Sequence, residues 1–328
     1  MLSRLRCLVG RIVRRYFRPR PPGSRVEKIG ASVLYWNAEH LIYIRDYYLY
    51  SVGLLRQALE HSDARVNLIL GGYDVGFLNT RKTCRVDIQY EHTLVRPGGR
   101  CAENAREGQV LATDGVPYLV RIPRFEHYRS MDHVIEYSLP NLENIRRAGG
   151  YEAYLRKCVH IAPLLYPADR SVLDGSRSKD VITTFTNESE PRRKAFLDRV
   201  RAAGVAISNE TNRFDHDSIG ALYRDSRILV NIRQTQHHHT FEELRVLPAL
   251  LCGCLVISED VPLREAVPYG QHVIWADPDS IVDVIREVQA NYQEYRDRVF
   301  TDDFFATMQR MSEQNEQVAR EIVAGIDA

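Results

Sequence analysis

The chain lacks zinc-like cysteine pairing. Its six cysteines, Cys7, Cys84, Cys101, Cys158, Cys252 and Cys254, form no CxxC. That excludes a zinc ribbon and a disulfide framework, and leaves the thiols as small core residues in a reducing compartment. HExxH, GxxxxGK[ST] and GxSxG are absent as well, so zincin, P-loop and nucleophile-elbow chemistry have no signature here. Gly71-Gly72-Tyr73-Asp74-Val75-Gly76 lacks the GxGxxG spacing, which gives a dinucleotide dehydrogenase little support. Long apolar runs are missing too. Near the start, Arg6 and Arg11 leave four residues between them, whereas a spanning helix needs about 20 and a secretory signal an uninterrupted apolar stretch. Acid is lacking from residues 1–20, which hold seven arginines.

What is present is ordinary for a folded chain: 328 residues, 44% hydrophobic and 27% charged, enough for two domains of about 150 residues each. Net charge is +1, but beyond the tail 37 basic face 43 acidic groups. A mildly acidic body argues against nucleic acid as a partner. In the tail, Leu2, Leu5, Leu8, Val9, Ile12, Val13, Tyr16 and Phe17 share a helical stripe with the arginines elsewhere. That pattern fits peripheral contact with an anionic membrane through residues 1–20, or a basic tail docked on a partner. The expected location is the cytoplasm, against the inner face of a membrane.

After Pro21-Pro22-Gly23, apolar runs alternate with helical patterns. Strands are expected at 32–36, 66–70, 86–90, 118–122, 133–137 and 159–165, with helices at 41–60 and 141–148. A polar stretch near 166–179 marks a boundary. Beyond it come strands at 181–186, 205–208, 228–232, 255–258 and 272–276, helices at 191–204, 217–224, 241–252 and 281–295, and a last helix over 302–324. The fold class is α/β: two Rossmann-like doubly wound domains facing a central cleft, each with a parallel sheet covered on both faces. The division is a basic tail over 1–24, a first domain over 25–166, a second over 167–300, and a helix over 301–328 packing back on the first. Ligands of such sheets bind beyond the carboxyl ends of the strands.

One loop in that position is conspicuous. After the strand ending at Asn231-Ile232-Arg233 come His237, His238, His239 and Thr240, then Glu242, Glu243 and Arg245 on the next helix. A helix amino end at a crevice attracts an anion, and the residue types suit a charged, hydroxyl-rich ligand. The histidines lack metal-ligand spacing, while the Asp215-His216-Asp217 and Asp277-Pro278-Asp279 pairs imitate an acidic pair that holds a divalent ion but have plainer explanations. Asp217 reads as a helix cap and the second pair as a turn, so no metal is expected.

The run from Asp217 to Pro262, with Phe241-x-x-x-Arg245-x-x-Pro248-Ala249-Leu250-x-x-Gly253-Cys254-Leu255-Val256-Ile257, resembles the nucleotide-sugar-binding half of GT-B glycosyltransferases with a group-1-type C-terminal domain, the CgeB-like, spore-maturation type above all. Phe185-Thr186-Asn187-Glu188-Ser189-Glu190-Pro191-Arg192-Arg193 resembles that domain's first strand and helix start. Asp132–Asn141 and Ala162–Pro167 resemble the end of the preceding domain. The resemblance covers about residues 130–300 and departs at Pro248, where such families carry the glutamate that binds donor ribose. Glu242 or Glu243 is considered in its place.

The resemblance implies transfer of a sugar from a nucleotide-sugar donor to an acceptor hydroxyl on a saccharide or lipid-linked molecule, in cell-envelope polysaccharide or glycolipid synthesis. No cofactor and no metal are required. Arg192, Arg193 and Arg233 would stabilise the departing diphosphate beside His237–His239 and Thr240, and Glu242, Glu243 and Arg245 would orient ribose or sugar. The resemblance does not extend to the first 129 residues. There Glu91 and His92 follow a strand and precede Pro97-Gly98-Gly99, so either suits the base that takes the acceptor proton, with Tyr35–His40 as a competing source. The contrasting reading is a non-catalytic, membrane-associated sensor or scaffold that kept the fold, for which Pro248 speaks. A metal hydrolase comes third.

Overall fold

The structure, a computed structural model, describes residues 22–39, 41–71, 81–91, 93–96, 109–113, 116–185, 190–211 and 213–325. The arginine tail, His92 and the Pro97-Gly98-Gly99 turn lie outside the described residues.

The first domain runs β1 (Arg25–Ile29), β2 (Ser32–Trp36), α1 (Arg45–Glu60), β3 (Val66–Leu70), β4 (Lys82–Gln89), β5 (Leu94–Val95), β6 (Gln109–Thr113), β7 (Val116–Val120), α2 (Phe125–Tyr128), β8 (His133–Glu136), α3 (Leu139–Ala148), α4 (Glu152–Leu155) and β9 (Cys158–His160). Its main sheet has the order β1-β2-β3-β4-β8-β9. All neighbours from β2 to β9 are parallel. β3 is buried at every position, as its unbroken apolar run dictates for a strand covered on both faces. β1, which the sequence reading did not contain, pairs antiparallel with β2 through a turn in which Gly30 takes a positive φ of 55°.

The second domain runs β10 (Lys179–Thr183), α5 (Pro191–Ala202), β11 (Ile207–Asn209), α6 (His216–Asp225), β12 (Ser226–Asn231), α7 (Glu243–Leu251), β13 (Leu255–Glu259), β14 (Ile274–Ala276), α8 (Ile281–Ala290) and α9 (Tyr292–Val299), followed by α10 (Asp302–Ala324). Its sheet is wholly parallel, in the order β11-β10-β12-β13-β14. The two parallel sheets with covering helices are the Rossmann-like pair expected of the chain.

Two expectations need correction. The strand read at 118–122 is β7, over 116–120, and it joins no parallel sheet. It pairs antiparallel with β5 and β6 in a separate three-stranded sheet, with its own small core of Leu94, Tyr118, Val120 and Tyr128. Nor does Asp217 cap α6. The Asp215 carboxylate accepts from Ser218 N at 2.9 Å, so the helix begins at His216.

α10 belongs to both domains. Phe304, Met308 and Met311 sit in the second core and Ala319, Ile322 and Val323 in the first. Asn315, between these groups and 1% exposed, bonds both the N–H and the carbonyl of Ala162 at 2.9 Å and donates to the Tyr50 hydroxyl.

Candidate functional site

The carboxyl ends of both sheets face one cleft, with a cavity of about 410 Å³. The first domain contributes Tyr43, Asp46, Tyr90, Glu91 and Tyr137; the second contributes Thr184, Glu210, Glu242, Arg245 and Pro248. Glu91 therefore stands on the cleft wall.

Two arginine–glutamate–arginine groups occupy the second domain's rim. In one, Glu242 is bound by Arg245 and lies 3.4 Å from Arg193. Arg245 also donates to Asn231 Oδ1 at 2.9 Å, tying it to the end of β12. Arg193 is 2% exposed, its guanidinium over the Phe185 ring, and burial pulls its pKa down to about 10, so it stays charged at neutral pH. In the other, the Glu259 carboxylate at the end of β13 has a fully buried side chain and binds both Arg192 and Arg233. Burial pushes the Glu259 carboxyl upward, but hydrogen bonds from Arg233 and Arg192 outweigh it and hold the group below the usual glutamate range. Each group carries one surplus positive charge, which suits an anion. Glu259 was not singled out from the sequence. It is the last residue of an apolar strand, and only the fold puts it between two arginines.

The histidine loop forms an interdomain clasp. His238 pairs with Val95 of β5 as an antiparallel bridge, Arg96 N donates to His237 O at 2.8 Å, and His239 N to Leu94 O at 2.9 Å. Thr240 Oγ1 accepts from the N–H groups of Thr93 and Leu94, both at 3.0 Å. The His239 ring contacts Arg233 and the edge of Tyr118. Burial and the Arg233 charge drive its pKa down to about 3, so it is neutral. His239 thus links the clasp to the Glu259 group.

Glu243 is not on the cleft surface. It is 1% exposed, accepts from the Tyr269 hydroxyl at 3.0 Å, and burial raises its carboxyl to about 7. Across the domain boundary lies Glu136 at the end of β8, fully buried, with Oε1 accepting from Asn141 at 2.9 Å and from Ser138 N at 3.2 Å. Its Oε2 has no hydrogen-bond partner among the described residues. Burial pushes the Glu136 carboxyl up to about 8, and the nearby Glu243 adds to this.

Pro248 does line the cleft, at the fourth-last position of α7. Having no N–H, it leaves the Leu244 carbonyl without its usual helical donor, and Leu244 lines the same cavity. Among the described residues no cluster of three or more metal-ligating side chains occurs, and no helix is long and apolar enough to cross a membrane.

Two facing Rossmann-like layers with an arginine-bearing rim define an α/β protein with a crevice between its halves. Residues 189–314, from the start of α5 into α10, match the family described as Glycosyl transferase-like. Uncharacterized protein R358 of Acanthamoeba polyphaga mimivirus is 32% identical over 152 residues, 44% of this chain and 51% of that protein, so the match spans about half of the relative's length. Among solved structures, an alpha1,3-fucosyltransferase with GDP-fucose aligns at a TM-score of 0.40 and 9% identity, over 81% of this chain and 84% of that one. An alpha-glucosyltransferase in complex with UDP-glucose and DNA containing an abasic site aligns at 0.33 and 8%, over 82% and 79%. Accessory secretory protein 1, 2 and 3 of Streptococcus pneumoniae aligns at 0.34 and 10%, over 85% and 58%.

Proposed function

We propose that the protein is a glycosyltransferase of the group-1, CgeB-like type, moving a sugar from a nucleotide donor to an acceptor hydroxyl. One observation carries the reading: the segment matching the glycosyltransferase-like family holds two arginine–glutamate–arginine groups after β12 and at the end of β13, and Glu242 and Arg245 of the first line the interdomain cavity. Bond cleavage at a nucleotide sugar leaves a diphosphate whose charge grows in the transition state, and pre-placed guanidinium groups stabilise that charge without reorganising. Glu259 and Glu242 hold the arginines in place at a cost to their net charge. The Leu244 carbonyl and Glu242 supply acceptors for ribose hydroxyls where Pro248 replaces an acid. Glu91 on the facing wall is the base for the acceptor proton.

We assign no metal to the reaction, an acceptor that is a saccharide or lipid-linked, and a cell-envelope product; peripheral membrane contact is assigned to residues 1–20. The test is a thermal-shift panel of nucleoside diphosphates with and without chelator, coupled to release of nucleoside diphosphate from the matching nucleotide sugar. Stabilisation and release that survive the chelator and collapse in Arg245→Ala support the reading. Pro248 favours one other reading, a nucleotide-sugar sensor; stabilisation without any release from any nucleotide sugar selects it.

A further inference from the structure

We propose that Glu210, Arg213, Phe214 and Tyr43 form the seat for the donor's base, and that the base they take is guanine. This rests on the nucleotide-donor reading above and specifies its base.

The sheet order sets the direction. β11 is the edge strand and β13 the fourth along, three strand spacings away, roughly 14 Å. Arg245, bound to Glu242 just after β12, lines the cavity, and the Arg192–Glu259–Arg233 group lies further along at the β12 and β13 ends, so this cation cluster stands on the side of the sheet away from β11. A nucleoside diphosphate with its phosphates there extends its base toward the end of β11. Glu210, Arg213 and Phe214 follow β11 directly and line the cavity.

The shape of that end suits a flat ring. Tyr43 is 79% exposed, unusual for so large a side chain, and its ring stands 5.4 Å from that of Phe214, edge to face. One ring comes from each domain, and because they already touch at near right angles, a base stacks on the exposed face of Tyr43 while the Phe214 contact holds that ring in place. Stacking alone accepts any base.

The polar edge adds selectivity. Glu210 N donates to Thr183 O at 2.8 Å, which fixes the start of the loop as an extension of the parallel pairing. Its carboxylate accepts from Lys179 Nζ at 2.7 Å and from Arg213 at 3.1 Å. It is therefore an acceptor pair with lone pairs to spare, flanked by a donor-only guanidinium. Guanine presents the complement: the O6 acceptor beside the N1–H and N2–H donors. Uracil sets two carbonyls around its single N–H. Adenine and cytosine turn ring-nitrogen lone pairs toward the position a carboxylate would occupy. Only guanine offers two adjacent donors to Glu210 and an acceptor to Arg213.

The experiment is isothermal titration of the full chain with GDP, UDP, ADP and CDP under one buffer and salt, on the wild type, Glu210→Gln and Phe214→Ala. The wild type is expected to bind GDP at least about tenfold more tightly than the other three. Glu210→Gln should cut the GDP-to-UDP ratio by about tenfold, because an amide replaces one acceptor by a donor. Phe214→Ala should weaken all four alike. UDP, ADP or CDP binding as tightly as GDP, or a ratio unchanged in Glu210→Gln, overturns the guanine seat and leaves the nucleotide reading standing. No binding of any of the four to the wild type overturns both.

Discussion

Replacing Glu136 with glutamine should shift stability in the variant's favour by an amount that grows with pH. In the native state burial lifts this carboxyl to about 8, against about 4.3 for an unfolded glutamate. The folded protein therefore keeps a proton that the unfolded chain has released. For an acid with a raised folded value, the favourable contribution is complete below the unfolded value and is lost as pH climbs toward the folded one. At about 1.36 kcal/mol per pKa unit the loss at pH 8 is at most about 5 kcal/mol. Glu243, itself raised to about 7 by burial, shares the boundary and part of the penalty. Half is a realistic share, about 2 kcal/mol at pH 8 and about 0.5 at pH 5. A glutamine keeps the acceptor that Asn141 and Ser138 use and needs no proton. An amide N–H left without a partner would offset about 1 kcal/mol, equally at every pH. The gain on going from pH 5 to 8 is thus the diagnostic, and differential scanning calorimetry should show the variant's midpoint advantage widening by about 3–6 °C. A midpoint difference that stays constant across this range, or shrinks, would mean that Glu136 is ionised in the native protein and refute the argument.

Glu259→Gln leaves Arg192 and Arg233 without their shared counter-charge in a nearly dry site; urea titration should show a loss of about 2–4 kcal/mol. Because the wild-type carboxyl is held low, its contribution persists above pH 5 and disappears as pH falls through its folded value, so the variant and the parent should converge in acid. Thr240→Val removes one acceptor from two interdomain N–H groups, and hydrogen exchange at the Thr93 and Leu94 amides should accelerate by an amount equivalent to about 1–3 kcal/mol. Pro248→Glu puts a carboxylate on the cleft wall, and nucleoside diphosphate affinity, measured by titration calorimetry, should rise about tenfold if that position faces a ribose.

The elements that were legible in the sequence are those whose pattern is local. VNLIL at 66–70 and SVLYW at 32–36 stand as strands with those bounds, and the stripe Phe304, Met308, Met311 gives α10 its register. The helix read over 281–295 breaks into α8 and α9 at Asn291, whose φ of −116° lies outside the helical range. The three-stranded sheet was invisible because β5 is two residues long and its partners lie across the chain, one of them the histidine loop. For the site, the rim residues after β12 were found because a strand, a loop and a charged helix start occur together. Glu259, Glu136 and Glu210 were missed for one shared reason. Each ends a strand or follows one, as any charged residue does, and its partners are far away in sequence: Arg192 for Glu259, Glu243 for Glu136, Lys179 for Glu210.

Two of the ties between the domains, α10 and the histidine clasp, differ in strength, and that difference bears on how the cleft would open. α10 spans 23 residues, roughly 35 Å, and each half is buried in a different core. Separating the domains there would expose Met308, Met311, Ile322 and Val323 at about 1.5–3 kcal/mol for each large side chain. Among the described residues the clasp involves two backbone hydrogen bonds from Arg96 and His239 and two more to Thr240, each worth about 0.5–1.5 kcal/mol net. An opening motion therefore pivots on α10 and unzips the histidine loop from β5. The His237–Thr240 segment touches Arg233 through His239, so unzipping also frees an arginine of the Glu259 group. Opening and anion binding are coupled through that contact: an anion held by Arg233 with the clasp closed should slow exchange of the Arg96 and His239 amides, and inorganic pyrophosphate is the simplest probe. Unchanged exchange at saturating pyrophosphate would separate the clasp from the cation site and leave it a purely structural seam.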